Sequence, residues 1–211
     1  MNERDERLAL CRLGKHLSAR GLSPGTSGNL SVRLGNGDML VTPTNAALGE
    51  LEPDALALLD GGGNQRAGAA PTKERFLHAA VYAARPEARA VVHLHSTYAV
   101  AYSCLRDLRR DDAMPPITPY TVMRLGRVAL VPYVRPGDPR LGEAVGEVAR
   151  NHHAILLANH GPVLAGASLE AAAAAIEELE ESAKLFFVLR GHDAQFLSDA
   201  QVEELQKVFA S

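Results

Sequence analysis

Hydrophobic and polar positions along the chain follow two periods, and each period predicts one kind of element. Apolar residues three or four positions apart predict helices over residues 4–19, 74–84, 97–105, 142–150, 168–190 and 198–209. Short alternating or continuous apolar segments predict strands over residues 29–34, 39–41, 89–93, 127–131 and 154–158, with another apolar run at 55–59. The polar, proline-rich stretch 107–119 predicts a loop.

The mixture of short strands and helices predicts an α/β domain whose sheet is covered by helices on both faces. No repeat or low-complexity linker divides the sequence, and we expect one domain over residues 1–211. Ser168 is the expected N-cap of the long alanine-rich helix, and Ser198 or Asp199 that of the last helix.

Composition narrows the class of protein. Apolar residues make up 46% of the 211 residues, charged residues 22%, and the net charge is -3. These values are typical of a soluble globular protein, and no basic patch predicts nucleic-acid or membrane binding. The charged N-terminus does not resemble a signal peptide, so we expect a cytoplasmic protein. Cys11 and Cys104 are expected to be buried free thiols.

The stretch Val-Val-His-Leu-His-Ser, residues 91–96, places two histidines two positions apart after an apolar run. If the strand continues that far, His93 and His95 point to the same side and can bind one ion. Neutral imidazole is a good zinc ligand. The pair alone is equally compatible with two ordinary polar residues at a strand end, because short motifs often match by chance.

Two further residues favour a metal site. His160 directly follows the 154–158 strand, and Glu74 begins a predicted helix. A carboxylate at a helix start also complements the helix dipole, which is a common structural role. One carboxylate with three histidines nevertheless forms a complete ligand set for a first-row divalent metal. His78 could share the helix face of Glu74, although a lone helical histidine is more often a packing residue.

Three segments also predict an anion site. Gly25–Asn29 and Thr42–Asn45 are turns rich in hydroxyls and backbone donors, and Thr72 and Lys73 stand at a helix N-terminus, which attracts phosphate. The glycine-rich turn is not a P-loop, because it lacks the GK[ST] ending. Each segment alone is an ordinary loop, but together around a metal they suit a small phosphorylated sugar.

Six motifs in this order resemble the class II aldolase/adducin family, in its fuculose-phosphate-aldolase-like group. They are Gly25-Thr-Ser-Gly-Asn-Leu-Ser31, Thr42-Pro-Thr44, Pro71-Thr-Lys-Glu74, Arg85-Pro86, Val91-Val-His-Leu-His-Ser96 and Leu157-Ala-Asn-His-Gly161. The resemblance implies a three-layer α/β/α fold with a mostly antiparallel central sheet. It is less specific for the reaction, because the family contains aldolases, an epimerase, a dehydratase, decarboxylases and non-enzymatic adducin domains.

The resemblance also implies roles for individual residues. The zinc ligands would be Glu74, His93, His95 and His160, with Mn²⁺, Co²⁺ or Fe²⁺ as other metals suited to the set. Glu74 would act as acid/base, and Tyr120 as a proton donor contributed across the subunit interface of a C4 homotetramer. The phosphate would be bound by a polar group comprising Asn29, Thr44, Asn45, Thr72 and Lys73.

Two departures from the aldolase pattern favour another branch of the family. Typical fuculose-phosphate aldolases have glycine where Asn45 stands and serine where Lys73 stands. The chain looks closer to 3-oxo-tetronate 4-phosphate decarboxylases, which would form dihydroxyacetone phosphate and CO2 through a metal-stabilised enediolate. A lysine suits a substrate that carries both a carboxylate and a phosphate. A sugar-phosphate aldolase and a non-catalytic adducin-like interaction domain are the alternatives.

Overall fold

A computed structural model describes residues 2–209, in which eight strands form one sheet in the order β4-β3-β2-β1-β5-β8-β7-β6. All neighbouring strands are antiparallel except β6 and β7, which are parallel. The strands are β1 (Asn29–Arg33), β2 (Met39–Val41), β3 (Ala57–Leu59), β4 (Gln65–Ala67), β5 (Ala90–His93), β6 (Val128–Val131), β7 (Ala154–Leu157) and β8 (Gly161–Gly166).

Helices cover both faces of the sheet. They are α1 (Glu3–Ala19), α2 (Arg75–Ala84), α3 (Thr97–Ser103), α4 (Pro119–Leu125), α5 (Pro139–Ala149), α6 (Leu169–Leu189) and α7 (Asp199–Val208). Two short 3-10 turns precede β3, at Leu48–Glu50 and Pro53–Ala55. This arrangement confirms the predicted three-layer α/β/α architecture with a mostly antiparallel sheet. The prediction of one domain over residues 1–211 stays a prediction, and Met1, Ala210 and Ser211 lie outside the described residues.

The two faces of the sheet bury separate hydrophobic cores, because successive strand residues point to opposite sides. On β5, Val92 packs into the core that includes residues of α1, α3 and α6. Val91 packs into the other core, with Leu77 of α2 and Val145 of α5. His93 follows Val91 by two residues and therefore points to the α2 side of the sheet.

The structure corrects several expectations from the sequence. Strands β4 and β8 were not predicted, and neither was helix α4 over residues 119–125, which contains Tyr120. Strand β5 ends at His93, which leaves His95 beyond the strand. Cys104 is exposed and Cys11 partly buried, so neither is the buried thiol that we expected. Ser168 and Ser198 cap α6 and α7, as predicted.

The turn between β7 and β8 has a backbone that few residues can adopt. Asn159 has a φ of 57° and Gly161 a φ of 146°. A Cβ atom on Gly161 would lie 2.4 Å from the carbonyl oxygen of Leu94, so this position admits only glycine unless the segment that follows β5 moves. The close approach brings His160 next to the end of β5.

We expect Gly161→Ala to lower the free energy of unfolding by about 2 kcal/mol, because the added methyl group meets backbone and the φ is unfavourable for alanine. Urea denaturation in the presence of EDTA measures this effect without a contribution from metal. Gly35→Ala is the matched control, since a Cβ there meets no atom within 4 Å. Equal stability of the two variants would contradict the steric argument.

Candidate metal centre

Four potential ligands meet at the C-terminal end of β5, close to the start of α2. Glu74, His93, His95 and His160 each offer one ligand atom, and these atoms all lie within 4.8 Å of one another. The structure therefore brings together the four residues predicted as metal ligands. His95 joins the cluster from the segment after β5, so its position does not depend on the strand geometry that first suggested the pair.

Glu74 is available to this cluster because it does not cap a helix. It directly precedes α2, but its side chain makes no capping hydrogen bond. Its Oε1 lies 3.4 Å from Nε2 of His160, and its Oε2 lies 3.4 Å from Nε2 of His93. The carboxylate thus faces two imidazoles, which argues against the simpler role of complementing the helix dipole.

The three imidazole rings have nearly threefold symmetry. All three pairs of ring centroids are 4.9 Å apart, and the angles between ring planes are 68°, 72° and 85°. The Nε2 atoms of His93 and His95 are 3.0 Å apart. Three rings arranged in this way can direct one nitrogen each at a common point on the side of the carboxylate.

Burial keeps these histidines neutral at neutral pH. It lowers the pKa of His93 to about 3, and it also holds the pKa values of His95 and His160 below the usual range. The Nδ1 of His93 donates to the carbonyl oxygen of Pro162 at 2.8 Å, which leaves Nε2 with a lone pair facing the cluster. Within residues 2–209, the buried Nδ1 of His160 has no hydrogen-bond partner.

Glu74 is ionised beside these rings. Burial raises the pKa of its carboxyl, but the polar groups that face it, among them the imidazoles and the hydrogen-bonded amide of Asn29, outweigh burial and hold the pKa below its usual range. The Nδ2 of Asn29 donates to Oε2 of Glu74 at 2.8 Å. An ionised carboxylate and neutral imidazole nitrogens are the protonation states that a divalent cation requires.

The donor set fits a first-row divalent metal. Three imidazole nitrogens and one carboxylate match the ligands that zinc takes, and manganese, cobalt and iron also accept such sets. Without a cation, buried lone pairs and a negative charge face one another at short distance, an arrangement that costs free energy. We conclude that these residues can hold a divalent metal, but the donor set does not select which one.

A cavity of about 670 Å³ opens beside the cluster, with Glu74, His95 and His160 in its wall. All five residues predicted to bind phosphate also line it: Asn29, Thr44, Asn45, Thr72 and Lys73. The structure thus places the predicted anion site and the predicted metal site in one cavity.

Backbone hydrogen bonds place the two polar turns side by side. The Thr44 amide donates to the Ala70 carbonyl at 2.9 Å, and the Thr72 amide donates to the Thr42 carbonyl at 3.0 Å. Asn45 has a φ of 58°, which asparagine tolerates better than most residues. This pairing explains why segments far apart in sequence line the same wall.

Some cavity residues were not predicted. Asn159, Pro136 and Gly137 line the cavity, together with Val100. Pro136 and Gly137 belong to the stretch Val131-Pro-Tyr-Val-Arg-Pro-Gly137, which also looks closer to the decarboxylase branch of the family than to the aldolases, and this resemblance is a usable signal for a site segment. The local sequence does not show that Pro136 and Gly137 line the same cavity as His95 and His160, because their position depends on the path of the chain after β6.

Tyr120 does not line the cavity of its own chain. It lies at the start of α4 and is 57% exposed, with its ring 5.7 Å from the guanidinium carbon of Arg124. A role in catalysis therefore requires a second copy of the chain to place this tyrosine at the site. The proton-donor role of Tyr120 stays a prediction.

Comparisons with known proteins agree with the fold. Residues 8–187 match the family described as the Class II Aldolase and Adducin N-terminal domain. The chain belongs to the class II aldolase and adducin family. The 3-oxo-tetronate 4-phosphate decarboxylase of Pectobacterium atrosepticum is 46% identical over 204 residues, which cover 97% of this chain and 94% of that protein.

Solved structures show the same relationship. The crystal structure of YgbL from Klebsiella pneumoniae is 44% identical, superposes with a TM-score of 0.95, and covers 97% of this chain and 99% of that one. A structure of L-fuculose 1-phosphate aldolase is 28% identical with a TM-score of 0.87, covering 98% and 97% of the two chains. Both a decarboxylase and an aldolase are thus similar to this chain over most of its length.

The described helices also bear on membranes. Within residues 2–209, no helix is both long enough and apolar enough to cross a bilayer.

We expect His95→Ala to weaken zinc binding at least about 100-fold while the protein stays folded, because His95 is a ligand candidate outside the strands. Competition with a chromogenic chelator measures the affinity, and circular dichroism checks the fold. His152→Ala is the control, since in the described part of the chain the His152 ring bonds only to the carbonyls of Val148 and Asp111. Unchanged zinc affinity in His95→Ala would show that His95 is not a ligand, whereas global unfolding would assign this histidine a structural role in the core.

Proposed function

We propose that the protein is a metal-dependent carbon–carbon lyase that decarboxylates 3-oxo-tetronate 4-phosphate to dihydroxyacetone phosphate and CO2. The observation that carries the proposal is the joining of a three-histidine, one-carboxylate cluster and an anion-type wall in one cavity. The names of the relatives at 42–46% identity supply the substrate. The proposed location is the cytoplasm.

The metal ligands in this proposal are Glu74, His93, His95 and His160, with zinc as the first choice among Zn²⁺, Mn²⁺, Co²⁺ and Fe²⁺. A metal held by these residues would supply a Lewis acid that polarises the C3 carbonyl of the substrate. The neutral state of the histidines supports the assignment, because protonated rings cannot act as ligands. The position of the cluster in the cavity wall leaves the substrate a way in.

The reaction breaks the bond between C1 and C2 and requires one proton. As CO2 leaves, the electron pair of that bond stays with C2, and a proton added at C2 gives the product. Of the four clustered residues, Glu74 is the one with a carboxylate, a group that can accept a proton and return it. We therefore assign Glu74 as the acid/base residue.

A proton donor from a neighbouring chain completes the assignment. Tyr120 is exposed and outside its own cavity, as expected for a residue that acts in a second subunit. We propose a homotetramer in which Tyr120 of one subunit reaches the site of the next. The substrate is a small phosphorylated sugar acid, and neither nucleic acid nor membrane is part of the proposal.

The polar wall suits the phosphate at C4. Asn29, Thr44 and Asn45 offer neutral donors, whereas Lys73 brings a positive charge to the cavity next to the start of α2. Lys73 also lines an adjoining cavity of about 830 Å³ with Arg75 and Arg135. Excess positive charge on this side suits a substrate with two anionic groups.

A sugar-phosphate aldolase is the second candidate, and the TM-score of 0.87 with L-fuculose 1-phosphate aldolase favours it. An aldolase also leaves an electron pair on the carbon next to a carbonyl, but it releases an aldehyde in place of CO2. A shared metal site therefore serves both reactions, and only the leaving group separates them.

We expect the zinc-loaded protein to release CO2 and dihydroxyacetone phosphate in equal amounts from 3-oxo-tetronate 4-phosphate. A coupled assay for each product measures the two rates. Because 3-oxo acids also lose CO2 spontaneously, buffer alone and protein stripped with EDTA are the controls. Release no faster than these controls, together with cleavage of fuculose 1-phosphate, would establish the aldolase.

We expect Lys73→Ser to raise KM for this substrate about 10-fold and to change kcat less, because a charged contact to phosphate binds the substrate and transition state alike. Steady-state kinetics at several salt concentrations measures both constants. Arg75→Ser is the matched control, since Arg75 neighbours Lys73 in sequence but lines only the adjoining cavity. Equal effects of the two variants would assign Lys73 a general electrostatic role.

A further inference from the structure

A chain of buried polar side chains runs from the metal cluster into the α2 side of the sheet. Asn29 contacts Glu74, His78 contacts Asn29, Ser31 contacts His78, and Tyr82 contacts Ser31. The hydrogen-bond distances are 2.8 Å from Asn29 Nδ2 to Glu74 Oε2 and 2.5 Å from His78 Nε2 to Asn29 Oδ1. They are 2.7 Å from Ser31 Oγ to His78 Nδ1 and 2.8 Å from the Tyr82 hydroxyl to Ser31 Oγ. His78 and Ser31 have no exposed surface. The mechanism proposed above uses only Glu74 and Asn29 of these five residues.

Two regular elements generate the chain. Glu74, His78 and Tyr82 are four residues apart, so they follow one stripe along α2. Asn29 and Ser31 are two residues apart on β1 and point to the same side of the sheet. The stripe and the strand lie against each other, and each β1 side chain fits between two side chains of the stripe.

The chemistry of each group fixes the direction of every hydrogen bond. The ionised carboxylate of Glu74 only accepts, so Asn29 donates to it through Nδ2 and presents Oδ1 to His78. Burial lowers the pKa of His78 to about 4, so its ring is neutral at neutral pH. The ring must then donate from Nε2 to Oδ1 of Asn29, which leaves Nδ1 to accept from the Ser31 hydroxyl. Ser31 in turn accepts from Tyr82. Every bond thus donates toward Glu74.

This direction has a consequence for the metal cluster. If the Asn29 amide rotated by half a turn, its oxygen would face the Glu74 carboxylate and repel it. Donation from His78 to Oδ1 holds the amide in the attractive orientation. The amide then holds Oε2 of Glu74 near His93, while Oε1 faces His160.

We propose that His78 is a positioning residue, which holds the Asn29 amide and through it the Glu74 carboxylate in the orientation needed for metal binding. This inference rests on the metal-ligand role of Glu74 in the proposed function, but not on the identity of the substrate. A buried histidine with a purely structural role would stabilise the fold and leave metal affinity unchanged.

Two substitutions at His78 separate these roles. His78→Leu removes both hydrogen bonds, and we expect zinc affinity to fall about 10- to 100-fold, as for other outer-shell partners of metal ligands. His78→Gln retains a donor able to reach Asn29, and we expect it to recover most of that affinity. Chelator competition measures zinc affinity, and thermal unfolding in EDTA measures the stability of the metal-free protein.

His153→Leu is the matched control. His153 is a partly buried histidine directly before β7, at the end of that strand opposite His160, and its ring bonds to the Arg124 carbonyl at 3.0 Å. We expect this variant to lose thermal stability without losing zinc affinity. For the His78 variants, we expect kcat to fall by a larger factor than any change in KM. A misplaced carboxylate affects proton transfer more than phosphate binding.

Wild-type zinc affinity in folded His78→Leu would overturn the proposal, and so would the absence of any recovery in His78→Gln. If His78→Leu does not fold, Ser31→Ala decides the question. It removes the two neutral hydrogen bonds of the Ser31 hydroxyl, to His78 and from Tyr82, and we expect about a fivefold loss of zinc affinity; no loss would overturn the proposal. A wild-type protein that binds no zinc would overturn it too, whereas one that binds zinc without releasing CO2 would refute only the decarboxylase function.

Discussion

The convergence of three neutral imidazoles on one carboxylate is the constraint on which the rest of the site depends. Their ligand atoms lie within 4.8 Å of one another, and burial keeps the rings unprotonated. The imidazole lone pairs and the carboxylate repel one another unless a cation lies between them, so the fold must supply the free energy that holds these side chains close. The sheet does so by placing His93 at the end of β5, one strand away from the β7–β8 turn that carries His160.

Close backbone contacts then set the distances within the cluster. Gly161 lies against the carbonyl of Leu94, and Gly28 lies against the carbonyl of His93, where an added Cβ would be 2.9 Å away. Side chains at either position would push the neighbouring segments apart. Small residues beside the ligands therefore have a steric cause in this protein, since the histidines meet only when the chain segments that carry them nearly touch.

Much of the fold could be predicted from the sequence, because helices such as α1 and α6 carry periodic apolar residues and clear N-caps. Strand β4 has only exposed residues and exists through pairing with β3, so no local pattern marks it. Strand β8 begins with Gly-Pro and is then apolar throughout, without alternation, and its pairing with β5 and β7 defines it. Helix α4 did carry a signal, Thr118 before Pro119, which the proline-rich loop before it concealed.

The same contrast holds for the site: features set by local sequence could be predicted, and features set by long-range contacts could not. Motifs identified the four ligand candidates and the polar wall, because each motif is continuous in sequence. The buried chain through His78 joins two motifs 45 residues apart and becomes visible only when β1 packs on α2. This division also bears on the reaction. The metal cluster and its buried support can serve any cleavage that leaves an electron pair beside a carbonyl. We therefore expect selection between CO2 and an aldehyde to depend on residues outside the cluster such as Lys73, where the sequence departs from the aldolase pattern.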